Sequence, residues 1–168
     1  MPTITSTKPC EHDPSSVSLT TEAALRWRVL IVDAHTSIRE MIRVILDGYS
    51  DLIEVAGEAS NAEGAVELAN SKAVDLVLID AHLPNGVDAI RKIKNVLPHV
   101  VIMGVSSEYA PYVHNAMSAA GAVGFVRMED ATDLLFKSIV FAMCAYGPMR
   151  MSVHHPQAGE RPRAPSFV

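Results

Sequence analysis

Two short apolar runs in this 168-residue chain each end on an aspartate: RVLIVD at Asp33 and DLVLID at Asp80. Leu76 to Ile79 is unbroken by any polar residue, which suits a strand buried on both faces. Pro84 and Asn85-Gly86 follow too soon for a helix. Asp80 therefore stands at the carboxyl end of a strand, which in an open α/β sheet is where ligands bind. A carboxylate there suits three kinds of chemistry: nucleophile, metal ligand or phosphate acceptor. An ordinary strand-ending aspartate that caps its own loop is the plain alternative. Cys10 and His12 lie close together without further ligands, and His154-His155 sits in a Pro- and Arg-rich stretch, so neither pair makes a metal site.

The elements that must position these carboxylates alternate along the chain. Arg28 to Asp33, Asp51 to Gly57, Asp75 to Asp80, Val100 to Ser106 and Ala122 to Arg127 read as five strands. Helical periodicity fills each interval. Ser37-x-x-Glu40 reads as a capping box before the stripe Ile38, Met41, Ile42, Ile45 and Leu46, closed by Gly48. Ser60-x-x-Glu63 repeats the box before Ala62, Val66, Leu68 and Ala69. Val87 to Val96 has Ile90, Ile93, Val96 and Leu97 as its inward residues and stops at Pro98. Gly104 marks a weak point or a close backbone approach within its strand. Pro111 to Ala120 is ended by Gly121, and Asp130 caps a last helix from Ala131 to Tyr146. That helix is apolar on more than one side, which predicts a second partner. Strands alternating with helices predict an α/β fold with a parallel sheet covered on both faces and joined by right-handed crossovers.

The bulk composition bounds the rest. The length suits one domain with tails, and 49% hydrophobic residues suffice for a core. A formal charge of −5 with scattered basic residues argues against a nucleic-acid surface. Two cysteines with no metal or disulfide spacing, no signal-peptide core and no membrane-length apolar stretch predict a cytoplasmic protein without membrane attachment. Residues 1–25 read as a disordered extension and 150–168 as a flexible tail, leaving 26–149 as the domain.

Taken together, these segments resemble the receiver domain of bacterial response regulators, from Arg28 to about Met149. VDAH looks like the family's acidic segment, DLVLIDAHLPNG its phosphoacceptor strand and loop, and GAVGFV its fifth strand. GEASNAEGAVELA resembles the branch that carries helix-turn-helix outputs, and GPMRMS the point where that branch leaves its receiver for a linker. The resemblance implies a flavodoxin-like, doubly wound (βα)5 fold with strand order 2-1-3-4-5. It implies that Asp80 is the phosphoacceptor and that Asp33 is the first of two acids that hold Mg²⁺. It puts His82 where a backbone carbonyl completes the metal site and a side chain tunes phosphate lifetime. It also makes Ser106 the switch hydroxyl and Phe125 the switch aromatic.

Two positions depart from that pattern. Ala34 stands where the family has its second acid, and Met128 where a lysine pairs with the phosphate. Arg127 is adjacent, but strand alternation aims it at the opposite face unless a bulge intervenes. The loop after Pro84 is two residues shorter than the usual form. The reading is thus an atypical receiver, without an output domain, acting by protein–protein contact in a phosphorelay, with Asp80 handicapped and Mg²⁺ weakly held. Its expected partners are a sensor kinase or other signalling protein, and a second copy covering Phe136, Val140 and Phe141 of the last helix. A phosphorylation-independent adaptor is the alternative signalling reading. The imidazoles of His35 and His82, with Asp33 and Asp80, offer a softer metal such as Zn²⁺ a site, although both histidines have simpler roles in their loops. An aspartyl-phosphate hydrolase would lack a lysine, a second acid and a cap domain, and a DNA-binding regulator would need more chain beyond residue 168.

Overall fold

The computed structural model describes residues 26–108 and 110–148; the extension expected over 1–25 and the tail over 150–168 lie outside them. Eleven elements follow in chain order. They are β1 (Trp27–Val32), α1 (Thr36–Asp47), β2 (Ile53–Ala59), α2 (Ala62–Ser71), β3 (Leu76–Asp80), α3 (Gly86–Val96), β4 (Val101–Ser106), α4 (Pro111–Ala120) and β5 (Gly124–Arg127). A single 3-10 turn (Met128–Asp130) then leads into α5 (Ala131–Tyr146). All strand pairings are parallel, and the order is β2-β1-β3-β4-β5. This is the α/β, flavodoxin-like architecture expected from the sequence.

Each central strand buries both faces because alternate side chains enter different cores. Leu30, Val32, Val77, Ile79 and Ile102 pack with Ile90, Ile93 and Met117 under α2, α3 and α4. Val29, Ile31, Leu76, Leu78 and Met103 pack with Ile42, Leu46, Leu135 and Ile139 under α1 and α5. At the amino end of the sheet, Asp75 is buried and its carboxylate accepts from the Arg28 backbone N–H at 2.9 Å.

Several local expectations give way to longer-range competition. The N-cap of α1 is His35, whose side chain makes no capping bond, so Ser37 is not a cap. Asn61, not Ser60, caps α2, accepting from the Gly64 N–H at 2.8 Å. Asp130 makes no capping bond on α5 because Arg127 claims its carboxylate at 2.8 Å. Val96 is 65% exposed, and Leu97 packs on the core in its place. Leu97 is the C-cap of α3, already out of helical conformation at φ −126° and ψ 69°, so the turn of the chain there and not helical spacing carries its side chain onto the core.

Gly104 is the close approach that its place in a strand suggested. A Cβ there would stand 2.3 Å from Cδ1 of Phe125. Gly121, at φ +118°, closes α4 in a left-handed conformation that favours glycine. Beneath it runs Lys94, which donates to the carbonyls of Pro98 and Val100 at 3.1 and 2.7 Å.

Candidate functional site

β1 and β3 are neighbours in register, Val32 opposite Ile79. The residues that follow, Asp33 and Asp80, therefore emerge side by side at the carboxyl edge. Both line one cavity of about 390 Å³, together with His35, His82, Glu108 and Met128. Among the described residues, no lysine or arginine lines it.

The Asp33 carboxylate is aimed by its own turn. Its Oδ1 accepts from the His35 N–H at 2.7 Å and lies 3.1 Å from His35 Nδ1. Asp80 is set in the same manner: its Oδ1 accepts from the His82 N–H at 3.1 Å, with His82 Nδ1 4.0 Å away. Burial pushes the Asp80 carboxyl above its ordinary value. The facing Asp33 pushes it the same way, while the His82 N–H bond and the imidazoles of His82 and His35 work against the rise.

Ser106 ends β4 at the same edge of the sheet. Its hydroxyl is buried, donating to the Glu108 carbonyl and accepting from the Glu108 N–H at 3.2 Å. It does not line the cavity, whereas Ser107 and Glu108 do. Phe125 sits on β5 over Gly104, its ring stacked on His114 of α4 at 4.0 Å and 11°. Ala34 is exposed, so a longer side chain has room there. Met128 reaches the cavity from the turn after β5 while packing partly on the α5-side core. Arg127 points elsewhere and pairs with Glu129 and Asp130, as strand alternation predicts.

The interface residues expected on α5 divide. Phe136 is half-buried and stacked on Tyr49 at 3.7 Å and 2°, and Val140 packs on the core. Phe141 is 72% exposed. Ser107 and Glu108 line the cavity and were not singled out in the sequence. Both follow a strand end that the spacing marked, so their place was available.

The cavity is oxygen-rich, lined by the three acidic residues Asp33, Asp80 and Glu108, a donor type that suits a hard divalent cation such as Mg²⁺. Among the described residues, no three His, Cys, Asp or Glu side chains converge as a ligand group.

The family model for the response regulator receiver domain matches residues 29–139. The chain belongs to the response regulator receiver family. This receiver is 37% identical over 113 residues to response regulator UvrY of Escherichia coli K12, covering 66% of this chain and 51% of that protein. It is 30% identical over 115 residues to the nitrate/nitrite response regulator protein NarL of the same organism, covering 66% and 52%. The chain thus spans about half the length of the curated relatives it matches. Among solved structures, the response regulator domain of Thermotoga maritima CheB superposes with a TM-score of 0.64 at 26% identity, covering 71% of this chain and 97% of that one. A LuxR-family two-component response regulator from Aurantimonas sp. SI85-9A1 gives 0.67 at 24%, covering 74% and 90%, and shows the shared fold. No described helix of this receiver is long and apolar enough to cross a membrane.

Proposed function

We propose that this receiver works in phosphorelay signal transduction as an atypical member, with Asp80 as a handicapped phosphoacceptor. The observation that carries this is the shared cavity. Asp80 and Asp33 open into it together, Met128 lines it where the family resemblance puts a lysine, and no lysine or arginine among the described residues lines it instead. Asp33, Asp80 and the His82 carbonyl would hold Mg²⁺. The ion supplies charge neutralisation between a carboxylate nucleophile and phosphoryl oxygens. An Asp80 oxygen bonds to phosphorus as the donor's bond breaks, and that electron pair leaves with the donor. With Ala34 in place of a second acid beside Asp33, such an ion is held less firmly, and the new phosphate lacks its lysine. Each lost charged contact costs about 1.5–3 kcal/mol. Ser106 is the switch hydroxyl in this reading and Phe125 the switch aromatic, and a sensor kinase or other signalling protein is the partner.

The test is Mg²⁺-dependent labelling by a small phosphodonor. The wild type should label weakly, and Ala34→Asp with Met128→Lys strongly, because the pair supplies a hard oxygen and a cation. Asp80→Asn in that background should abolish the signal. Wild-type labelling as strong as that of the double variant would overturn the handicap. No labelling of the double variant would overturn the phosphoacceptor role.

A second copy of the receiver is the further partner that this reading assigns. Leu134, Phe141 and Tyr146 of α5 are exposed apolar residues, and Phe141 and Tyr146 flank a cavity of about 300 Å³ between α5 and β5. A homodimer through the last helix would bury them.

A further inference from the structure

Arg39 sends its guanidinium to three places at once. Nη1 donates to the Asp33 backbone carbonyl at 2.7 Å, Nη2 to Thr36 Oγ1 at 3.1 Å, and Nε to Glu58 Oε2 at 3.1 Å. The side chain is only 13% exposed. These acceptors belong to the end of β1, the first turn of α1 and the end of β2. One rigid fork therefore ties together the three elements that frame the Asp33 turn.

The Asp33 backbone N–H also donates to the Ala59 carbonyl at 3.1 Å, so the turn is joined to the end of β2 through its amide as well as through Arg39. The α1 N-cap, His35, contributes no side-chain capping bond. The Asp33 carboxylate is aimed by the backbone path and by His35, whose N–H donates to Oδ1 at 2.7 Å and whose Nδ1 lies 3.1 Å from it. Arg43, one turn further along α1, pairs with the same Glu58 through its other oxygen and makes no bond to the Asp33 turn. Arg39 and Arg43 thus share a structural partner, and of the two Arg39 is the one bonded to the Asp33 backbone.

We infer that Arg39 is a positioning residue for the Asp33 carboxylate, fixing the turn that presents it to the cavity. The inference rests on reading Asp33 and Asp80 as the carboxylates that hold a divalent cation. In this chain the dependence is sharpened by Ala34. With no second acid beside it, Asp33 is the sole carboxylate from the β1 edge, so its placement has no substitute. A group that orients a ligand through a hydrogen bond of its own commonly governs affinity by about ten- to hundredfold.

The experiment uses the full chain and two readouts. Mn²⁺ alone, titrated and followed by electron paramagnetic resonance, reports cation binding. Exchange of the His35 amide hydrogen in metal-free buffer reports the turn itself. Arg39→Gln should weaken Mn²⁺ binding by about tenfold or more and speed His35 exchange. Arg43→Gln, which also costs Glu58 a partner, should leave both at wild-type values. Arg39→Lys should behave as Arg39→Gln, because an ammonium cannot fork to three acceptors. Equal losses from Arg39→Gln and Arg43→Gln would overturn the proposal, as would full rescue by lysine. If the wild type binds no Mn²⁺, the cation reading of Asp33 falls, and His35 exchange alone decides: faster exchange in Arg39→Gln upholds positioning, unchanged exchange overturns it.

Discussion

Phe125 lies so close over Gly104 that a Cβ at residue 104 would stand 2.3 Å from its Cδ1 and 2.4 Å from its Cε1. The two residues are direct partners across the β4–β5 pairing. Absence of a side chain on β4 is what lets the ring settle inward and stack on His114. Gly104→Ala should displace the ring and destabilise the fold by about 1–3 kcal/mol, the usual cost of overpacking. Chemical denaturation of both single variants and the double variant with Phe125→Leu would measure it. The two effects should be strongly non-additive, because the smaller side chain removes the clash.

Glu58 predicts a pH dependence. Burial raises its carboxyl, but hydrogen bonds and charge from Arg43 and Arg39 outweigh that and hold it below its ordinary value of 4.5. A carboxyl lowered in the folded state contributes stability that is fully present above its unfolded value and lost as pH falls through the folded one. Glu58→Gln should therefore cost about 1–2 kcal/mol at neutral pH. The gap to wild type should close in acid, below the ordinary carboxylate range. Thermal melts from pH 7 to pH 3 would follow it, and a gap that stays constant would contradict the assignment.

Asp80 predicts the opposite sign. Its carboxyl is raised in the folded state by burial and by Asp33, despite the opposing His82 contacts. Holding the charge therefore destabilises the fold wherever the group is ionised in both states. In buffer with a chelator, Asp80→Asn should raise the melting temperature at neutral pH. The gain should shrink as pH falls through the raised value and vanish below 3.8, the unfolded reference.

The rings of Tyr49 and Phe136 join the segment after α1 to the flank of α5. A double-mutant cycle with Tyr49→Leu and Phe136→Leu should return a coupling of about 0.5–1.5 kcal/mol. Among the described residues Phe141 stacks on no ring, and it is 72% exposed. Phe141→Glu should leave folding stability nearly unchanged and shift sedimentation from dimer to monomer. A monomeric wild type at high concentration would contradict the α5 interface.

The strand order came from the family resemblance, while the alternation of apolar runs and helical stripes was enough to read five parallel strands and place Asp33 and Asp80 on one edge. That information is local: a strand needs an apolar run, a helix needs a period, and parallel crossovers permit few arrangements. Which polar group each side chain finally meets is not local. Asp130 had the position of a cap and went to Arg127, and Ser37 had the spacing of a capping box and became cavity wall. Ser106 reached the expected edge but gave its hydroxyl to the Glu108 backbone. Arg39 and Glu58, nineteen residues apart, met only because β1 and β2 pair. Residue type and spacing determined the fold and the carboxylate pair. The folded chain decided the competition for hydrogen bonds around them, because several donors and acceptors come within reach only once the sheet has formed.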